Sequence, residues 1–402
     1  METIHSDVII CGGGTAGLPA ALAAARAGAR VCIVEEDARI GGASADQYIQ
    51  FFCGAPYQGI FHELKEKMKQ YAPFKKESTF RHSSLIMAYM DWFRDLPVSI
   101  YTRQRITRVD VRAGVIHGVE SEAFRFEGKV YIDATGDGDV AALAGCTVRY
   151  GREARAEFDE AFAPEQADEK VQRCTLMYTV KRRPDAGHSQ DANAMAPLDE
   201  EEGLIWGPTV ICKDTTDETQ LNAAQNEALR MLSEKVAFWR DKGYYITAVA
   251  PKLGVRESRR IEGLHILSYR DIAEEKTFED SVCVVNYNID PWDPDGNPVH
   301  DKARKQSTFM PDYEIPYRCL VNRQVENLIV AGRCISATHV ANSSLRVMGI
   351  CIPVGQAAGN AAFLALQQGC PARDVNTQAL RALQRQGGVH VSKAEPMPVQ
   401  PC

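Results

Sequence analysis

The sequence holds no Cys-x-x-Cys pair, although it carries 12 cysteines, scattered singly from Cys11 to Cys402. Zinc sites and iron–sulfur clusters need clustered thiolates, so no metal is expected. Cys11, Cys32 and Cys283 stand inside apolar, strand-like runs, where a free thiol behaves as a small hydrophobe. A reducing compartment is the simplest setting for them. Strong charge imbalance is also absent: 46 Lys and Arg stand against 53 Asp and Glu, a net charge of −7. Such a chain has no global field to draw nucleic acid or an anionic membrane, and neither is expected as a partner. An uninterrupted membrane span is missing too. The stretch nearest to one, 347–366, is broken by Pro353, Gln356, Asn360 and three glycines, and reads as a buried helix with a glycine-rich approach. Residues 1–7 are polar and lack a signal-peptide pattern, so a cytoplasmic location is expected. What is present is ordinary for a globular protein: 402 residues, 45% apolar and 25% charged. At about 150 residues per domain this allows two or three units, or one large α/β unit with an insertion.

The opening segment reads strand, turn, helix, strand. An apolar run at 7–11 leads into Gly12, Gly14 and Gly17 in G-x-G-x-x-G register, then an alanine-rich helix over 15–27 closed by Gly28. A second strand over 30–34 ends in Glu35, 23 positions after Gly12. Each part has a physical job in dinucleotide binding. Gly12 allows the tight turn, Gly14 lets backbone approach a pyrophosphate, and Gly17 lets helix pack closely on strand. The helix N-terminus offers unpaired N–H groups to the phosphates, and Glu35 can accept hydrogen bonds from ribose hydroxyls while disfavouring a 2′-phosphate. The paired Gly41 and Gly42 suggest a second close approach of backbone to an extended ligand.

Residues 51–97 read as mostly helical and 98–119 as short strands, followed by a strand at 130–132. That strand opens into the glycine turn 133–139. Gly136-x-Gly138-x-x-Ala141 has the outline of a second fingerprint, but no strand ending in an acid follows about 20 residues on. One dinucleotide site is therefore expected. The middle, 151–318, changes texture, with a polar stretch at 181–203, a helix predicted over 219–242, and strands at 175–180, 244–250 and 281–288. It suggests an α+β insertion. Arg256, Arg259 and Arg260 cluster after Gly254 and can clamp a carboxylate or phosphate, or pair internally with Glu257 and Glu262. The last third repeats the strand, glycine turn and helix of the N-terminus, with a strand at 326–331, the turn Gly332-Arg333, and a helix over 353–367.

Together these segments resemble the FAD-dependent oxidoreductases of the two-dinucleotide-binding superfamily, of which glutathione reductase is the familiar type. The resemblance rests on GGGxAG at 12–17, ATGDGD at 134–139, AGRxISATH at 331–339, RVM at 346–348, GQAAG at 355–359 and GVRESRRI at 254–261. It implies a Rossmann-like FAD-binding domain of the glutathione-reductase type, an α/β fold built from 1–150 and 319–390. An α+β substrate domain over 151–318 would be inserted into it, with a C-terminal tail at 391–402.

By this resemblance Gly12, Gly14 and Gly17, with Thr15 and Ala16, would hold the FAD pyrophosphate, and Glu35 with Glu36 the adenosine ribose. Arg39, Gly41, Gly42, Ala43 and Ser44 would lie between phosphates and isoalloxazine. The backbone of Ile106 would border the adenine, and Ala134, Thr135, Gly136 and Asp139 would close over the adenosine half. Gly332 and Arg333 would meet the ribityl–phosphate end. Arg346, Met348, Gly349 and Ile350 would bring the start of the long helix to the flavin N1–C2=O edge, where negative charge develops on reduction.

With one dinucleotide site and no clear site for NAD(P), electrons are expected from the substrate, as in a dehydrogenase or oxidase, with hydride leaving a C–H bond of a small molecule for flavin N5. No Cys-x₄-Cys pair follows the first helix, which speaks against a disulfide reductase. His339 and His265 are the candidates for a base or orienter. Arg256, Arg259 and Arg260 are candidates for holding an acidic group of the substrate, and Gln47 and Cys53 could reach the flavin face. The alternatives are a fumarate-reductase-like enzyme adding hydride to an activated double bond, and a tRNA-modifying or non-catalytic FAD-binding partner protein. Oligomeric state is not readable from the sequence.

Overall fold

Val8–Cys11, Val31–Val34 and Val130–Asp133 are short runs rich in β-branched residues, and every position in them is buried. Strands buried on both faces suit a parallel sheet covered on both sides. The computed structural model describes residues 1–54, 58–76, 78–185, 196–295 and 310–396. In it these strands form the centre of a parallel sheet in the order Leu328–Val330, Val130–Asp133, Val8–Cys11, Val31–Val34, Val98–Tyr101. Leu328 pairs with Tyr131, so a strand from the last third of the chain completes the sheet begun by the first.

The helix Gly17–Arg26 lies against the long helix Met348–Gln368. A Cβ on Gly355 would stand 2.2 Å from the carbonyl oxygen of Ala16, and one on Gly359 would stand 2.1 Å from that of Ala20. The i, i+4 spacing places both glycines on one helix face, where the two backbones touch. Among the described residues Met348–Gln368 is the one helix long and apolar enough to cross a membrane, but 89% of its apolar window is buried inside the protein. It is a core helix. It begins at Met348 rather than at Pro353, so the proline sits inside it and withholds one backbone donor.

The middle of the chain forms an antiparallel sheet in the order Ala196–Pro197, Glu202–Ile205, Tyr178–Arg182, Tyr244–Val249. Leu176, Val180, Leu204, Ala228, Leu232 and Trp239 make a separate core around it, and Trp239 Nε1 donates to the Tyr178 hydroxyl at 2.9 Å. The helix expected over 219–242 is two, Glu218–Ser233 and Val236–Asp241. At the break, Ser233 Oγ donates to the Arg230 carbonyl, a local bond that competes with helix continuation. This second core draws on residues 174–253, a narrower span than 151–318. Ile261, Leu267, Val282, Cys283 and Ile315 pack into the main core instead. Val391 is buried there as well, and residues 397–402 of the expected tail lie outside the described residues.

Candidate active site

The C-terminal ends of the parallel strands open onto a cavity of about 590 Å³. Ligands of open α/β sheets bind at this edge. Its floor is the first glycine turn. Gly12 holds φ of +103°, and a Cβ there would stand 2.3 Å from the Ala134 carbonyl oxygen, so only glycine lets the turn pass under the 134–139 loop. Gly14 faces Gly42, whose Cβ would lie 2.8 Å from the Gly14 Cα. The two glycine loops thus meet backbone to backbone, leaving room above them.

The helix that follows has no side-chain cap and no acidic residue in its first turn. The N–H groups of the turn leading into it, at the cavity-lining Thr15 and the N-cap Ala16, have no acceptor among the described residues. Such a helix start is a cradle for a diphosphate. Glu35 Oε2 accepts the Gly13 N–H at 2.7 Å and Oε1 the Asp37 N–H at 2.9 Å, which aims the carboxylate along the cavity wall. Burial pushes its pKa up to about 7. Glu36 lines the same wall and is bridged with Asp37 by Lys252 from the second core, at 2.6 and 2.7 Å. Ile106 completes this end with Gln104 and Arg105.

Opposite stands the 134–139 loop. Asp133 is fully buried and braces it, accepting from Thr135 N–H and hydroxyl and from Ala141 N–H. Ala134, Thr135, Gly136 and Asp139 line the cavity, as do Gly332 and Arg333. Arg333 donates to Asp137 at 2.7 Å, and Arg259 donates to the Asp137 carbonyl at 2.8 Å and pairs with Asp139. Burial raises the Asp139 carboxyl to about 6.

The far end of the cavity lies between the start of the long helix and two loops. Arg346, Val347, Met348 and Cys351 form one side; Gln47, Phe51 and Cys53 form a second; Tyr287, Asp290 and Trp292 form a third. Arg256 and Trp206 reach in from the middle of the chain. The N–H groups of Val347 and Met348 have no acceptor among the described residues, whereas Gly349 donates to the Cys53 carbonyl at 2.9 Å and Ile350 to the Val347 carbonyl at 3.0 Å.

Several expected site residues stand behind this lining. Gly17 packs under the turn, where a Cβ would lie 1.8 Å from the Gly12 carbonyl oxygen. Gly41 donates to the Gly13 carbonyl and Ser44 to the Gly41 carbonyl, so both shape the second loop from behind. Arg39 is held by Asp46 and the Ala45 carbonyl. Gly349 and Ile350 have their N–H groups satisfied by backbone carbonyls, leaving Met348 as the open end of that set.

The expected catalytic set separates. His339 is 4% exposed, its ring bonded to Glu257 at 2.8 Å and its backbone N–H to Glu153 at 2.8 Å. Arg260 is 1% exposed and pairs with Glu257 and Glu153 in the same cluster. This closed network lies outside the cavity lining and ties the Gly254 loop to the start of helix His339–Leu345. His265 is bonded to Asp271 at 3.1 Å and packs on Phe278, also away from the cavity. Only Arg256 and Arg259 of that set line the site. Among the residues missed are Asp46, Phe51, Trp206, Tyr287, Asp290 and Trp292, of which Tyr287, Asp290 and Trp292 lie away from every glycine turn marked in the sequence.

Sheet, glycine turn and cavity define a Rossmann-type flavoprotein. The family model described as FAD dependent oxidoreductase matches residues 7–385, and the chain belongs to that family, with FAD as its cofactor. No curated protein matches the chain. Among solved structures it is similar to OxyS anhydrotetracycline hydroxylase from Streptomyces rimosus, at 13% identity and TM-score 0.46 over 96% of this chain and 66% of that one. A geranylgeranyl bacteriochlorophyll reductase-like protein from Thermoplasma acidophilum is similar at 12% identity and TM-score 0.44, over 96% and 83%. Thioredoxin reductase from T. acidophilum matches at 22% identity and TM-score 0.22, over 32% and 34%. The substrates in those names belong to those proteins.

Proposed function

We propose that the protein is an FAD-dependent dehydrogenase or oxidase that takes hydride from a C–H bond of a small molecule. The observation that carries this reading is the continuity of the cavity: one space runs from the bare helix start at Thr15 and Ala16 to an aromatic chamber beside Met348. FAD supplies the two-electron acceptor in this reaction. The chain's own residues do the rest. The glycine turn and the unpaired N–H groups leading into the first helix bind the diphosphate. Glu35 accepts from a ribose hydroxyl, and its fixed orientation comes from the Gly13 and Asp37 donors. The unpaired N–H groups of Val347 and Met348 place fixed positive dipoles at the chamber end, where they favour negative charge without consuming a proton. Phe51, Trp206, Tyr287 and Trp292 enclose the chamber and limit water around the reacting bond.

The test is anaerobic. FAD-replete protein is mixed with panels of alcohols, amines and saturated acids, and loss of the long-wavelength flavin band is followed. Bleaching by one of them that an artificial acceptor reverses supports the reading. Protein that bleaches with none of them, but is reoxidised after dithionite reduction by an activated alkene, runs the reaction in the opposite direction and overturns it.

A further inference from the structure

Among the described residues the chamber lining holds two guanidiniums, Arg256 and Arg346, and one carboxylate, Asp290. Arg346 is paired: its Nη2 donates to the Asp290 carbonyl at 2.9 Å and approaches Asp290 Oδ2 at 3.4 Å. That same Oδ2 accepts Trp292 Nε1 at 3.2 Å. Arg256 is not paired. Its Nη1 donates to the Arg173 carbonyl and to Thr175 Oγ1, both at 2.7 Å, and its guanidinium lies 3.8 Å over the Trp292 ring. Among the described residues no carboxylate lies within 4 Å of it, and Nε and Nη2 carry no hydrogen bond. The contrast with its sequence neighbours is sharp, since Arg259 pairs with Asp139 and Arg260 with Glu153 and Glu257. Burial and the neighbouring Arg346 push the Arg256 pKa down, and the attraction of Asp290, which Arg346 shares, offsets this only in part.

A guanidinium held rigid by two acceptors and an aromatic face, with its remaining edge open to a cavity, is built to receive a planar anion. The aromatic walls around it are suited to an apolar or aromatic body rather than to a second phosphate. We infer that Arg256 is the substrate-recognition residue of this enzyme, and that the substrate is a small carboxylic acid with an apolar or aromatic body. Its carboxylate docks on the free edge of Arg256 and its body lies among Phe51, Trp206 and Tyr287. This inference rests on the oxidoreductase reading of the same cavity. Arg259 and Arg260, equally placed in the sequence, take no part in it because their charges are already neutralised by carboxylates.

The experiment is a ligand titration of FAD-replete protein with benzoate, benzyl alcohol and inorganic phosphate, read by the flavin difference spectrum and by tryptophan fluorescence. Benzoate is expected to saturate, with benzyl alcohol and phosphate giving no saturable change. Arg256→Met should weaken benzoate about 30-fold or more at unchanged FAD content, and Arg256→Lys should restore part of the affinity, because a point charge replaces a fork. An unchanged benzoate affinity in Arg256→Met overturns the inference, as does phosphate binding as tightly as benzoate. So does a variant whose flavin reduction potential shifts while its benzoate affinity does not, since Arg256 would then serve the cofactor. Failure to take up FAD would refute the oxidoreductase reading, and the tryptophan signal, which needs no flavin, still decides Arg256.

Discussion

Gly359→Ala sets two known effects against each other. Alanine is the better helix former by about 1 kcal/mol, so in an isolated helix the change stabilises. Here the added Cβ would stand 2.1 Å from the Ala20 carbonyl oxygen and 2.9 Å from its carbonyl carbon. The obstacle is backbone, which no rotamer change can move aside, and real Cβ contacts lie beyond 3.0 Å, so the two helices must separate by roughly 1 Å. Overpacking of this kind costs about 3 kcal/mol or more, and a net loss of about 2 kcal/mol is expected. The assay is urea unfolding of the FAD-free protein, with Gly355→Ala as a companion expected to move the same way. A midpoint equal to or above that of the parent would show that propensity wins, and the close seating of the helices would be refuted.

Other outcomes follow from the buried charges. Burial holds the Glu35 carboxyl at about 7, against 4.5 unperturbed, so the folded FAD-free protein binds that proton more tightly than the unfolded chain. Stability is therefore greatest below the unperturbed value and falls as pH rises through about 7, by about 3 kcal/mol for this group. Asp46 and Asp139, both raised to about 6, act in the same direction, and Glu35→Gln should flatten the upper part of the thermal-midpoint curve. Arg260→Met leaves Glu153 and Glu257 short of a cation and should destabilise by about 3–5 kcal/mol in thermal unfolding, whereas Arg256→Met should change stability far less. His339→Gln should cost about 1–3 kcal/mol of stability, with the pH profile of flavin reduction unmoved. A shifted profile would return His339 to the reaction.

What could be read without coordinates was whatever the backbone dictates locally. The strand Val8–Cys11, the turn at Gly12 and the acid at Glu35 stand in fixed order because each follows from its neighbours. Side-chain partners across long separations leave no such mark. His339 sits in a motif beside the cavity-lining Gly332 and Arg333, yet one helical start turns its ring inward to Glu257, 82 positions away. The three arginines after Gly254 are indistinguishable in sequence. Their separation depends on Asp139, Glu153 and Glu257, one in the glycine loop, one beyond it and one within the cluster itself. Tyr287, Asp290 and Trp292 follow the strand Ser281–Val285 with no periodicity or glycine signal, so the chamber's third wall was invisible.

The strand Leu328–Val330 pairs with Val130–Asp133 and helps carry the cavity rim at Ala331 and Gly332. On a ribosome adding about 5–20 residues per second, the nearly 200 residues between Tyr131 and Leu328 take on the order of 10–40 s to appear. During that interval the glycine turn is exposed, the face of helix Gly17–Arg26 that Met348–Gln368 covers is open to water, and the cavity lacks its chamber end. FAD capture is thus deferred until the last third of the chain has been made. A chain ending at residue 320 should retain no flavin, although the second core, whose buried residues all lie within 174–253, is by then complete in sequence.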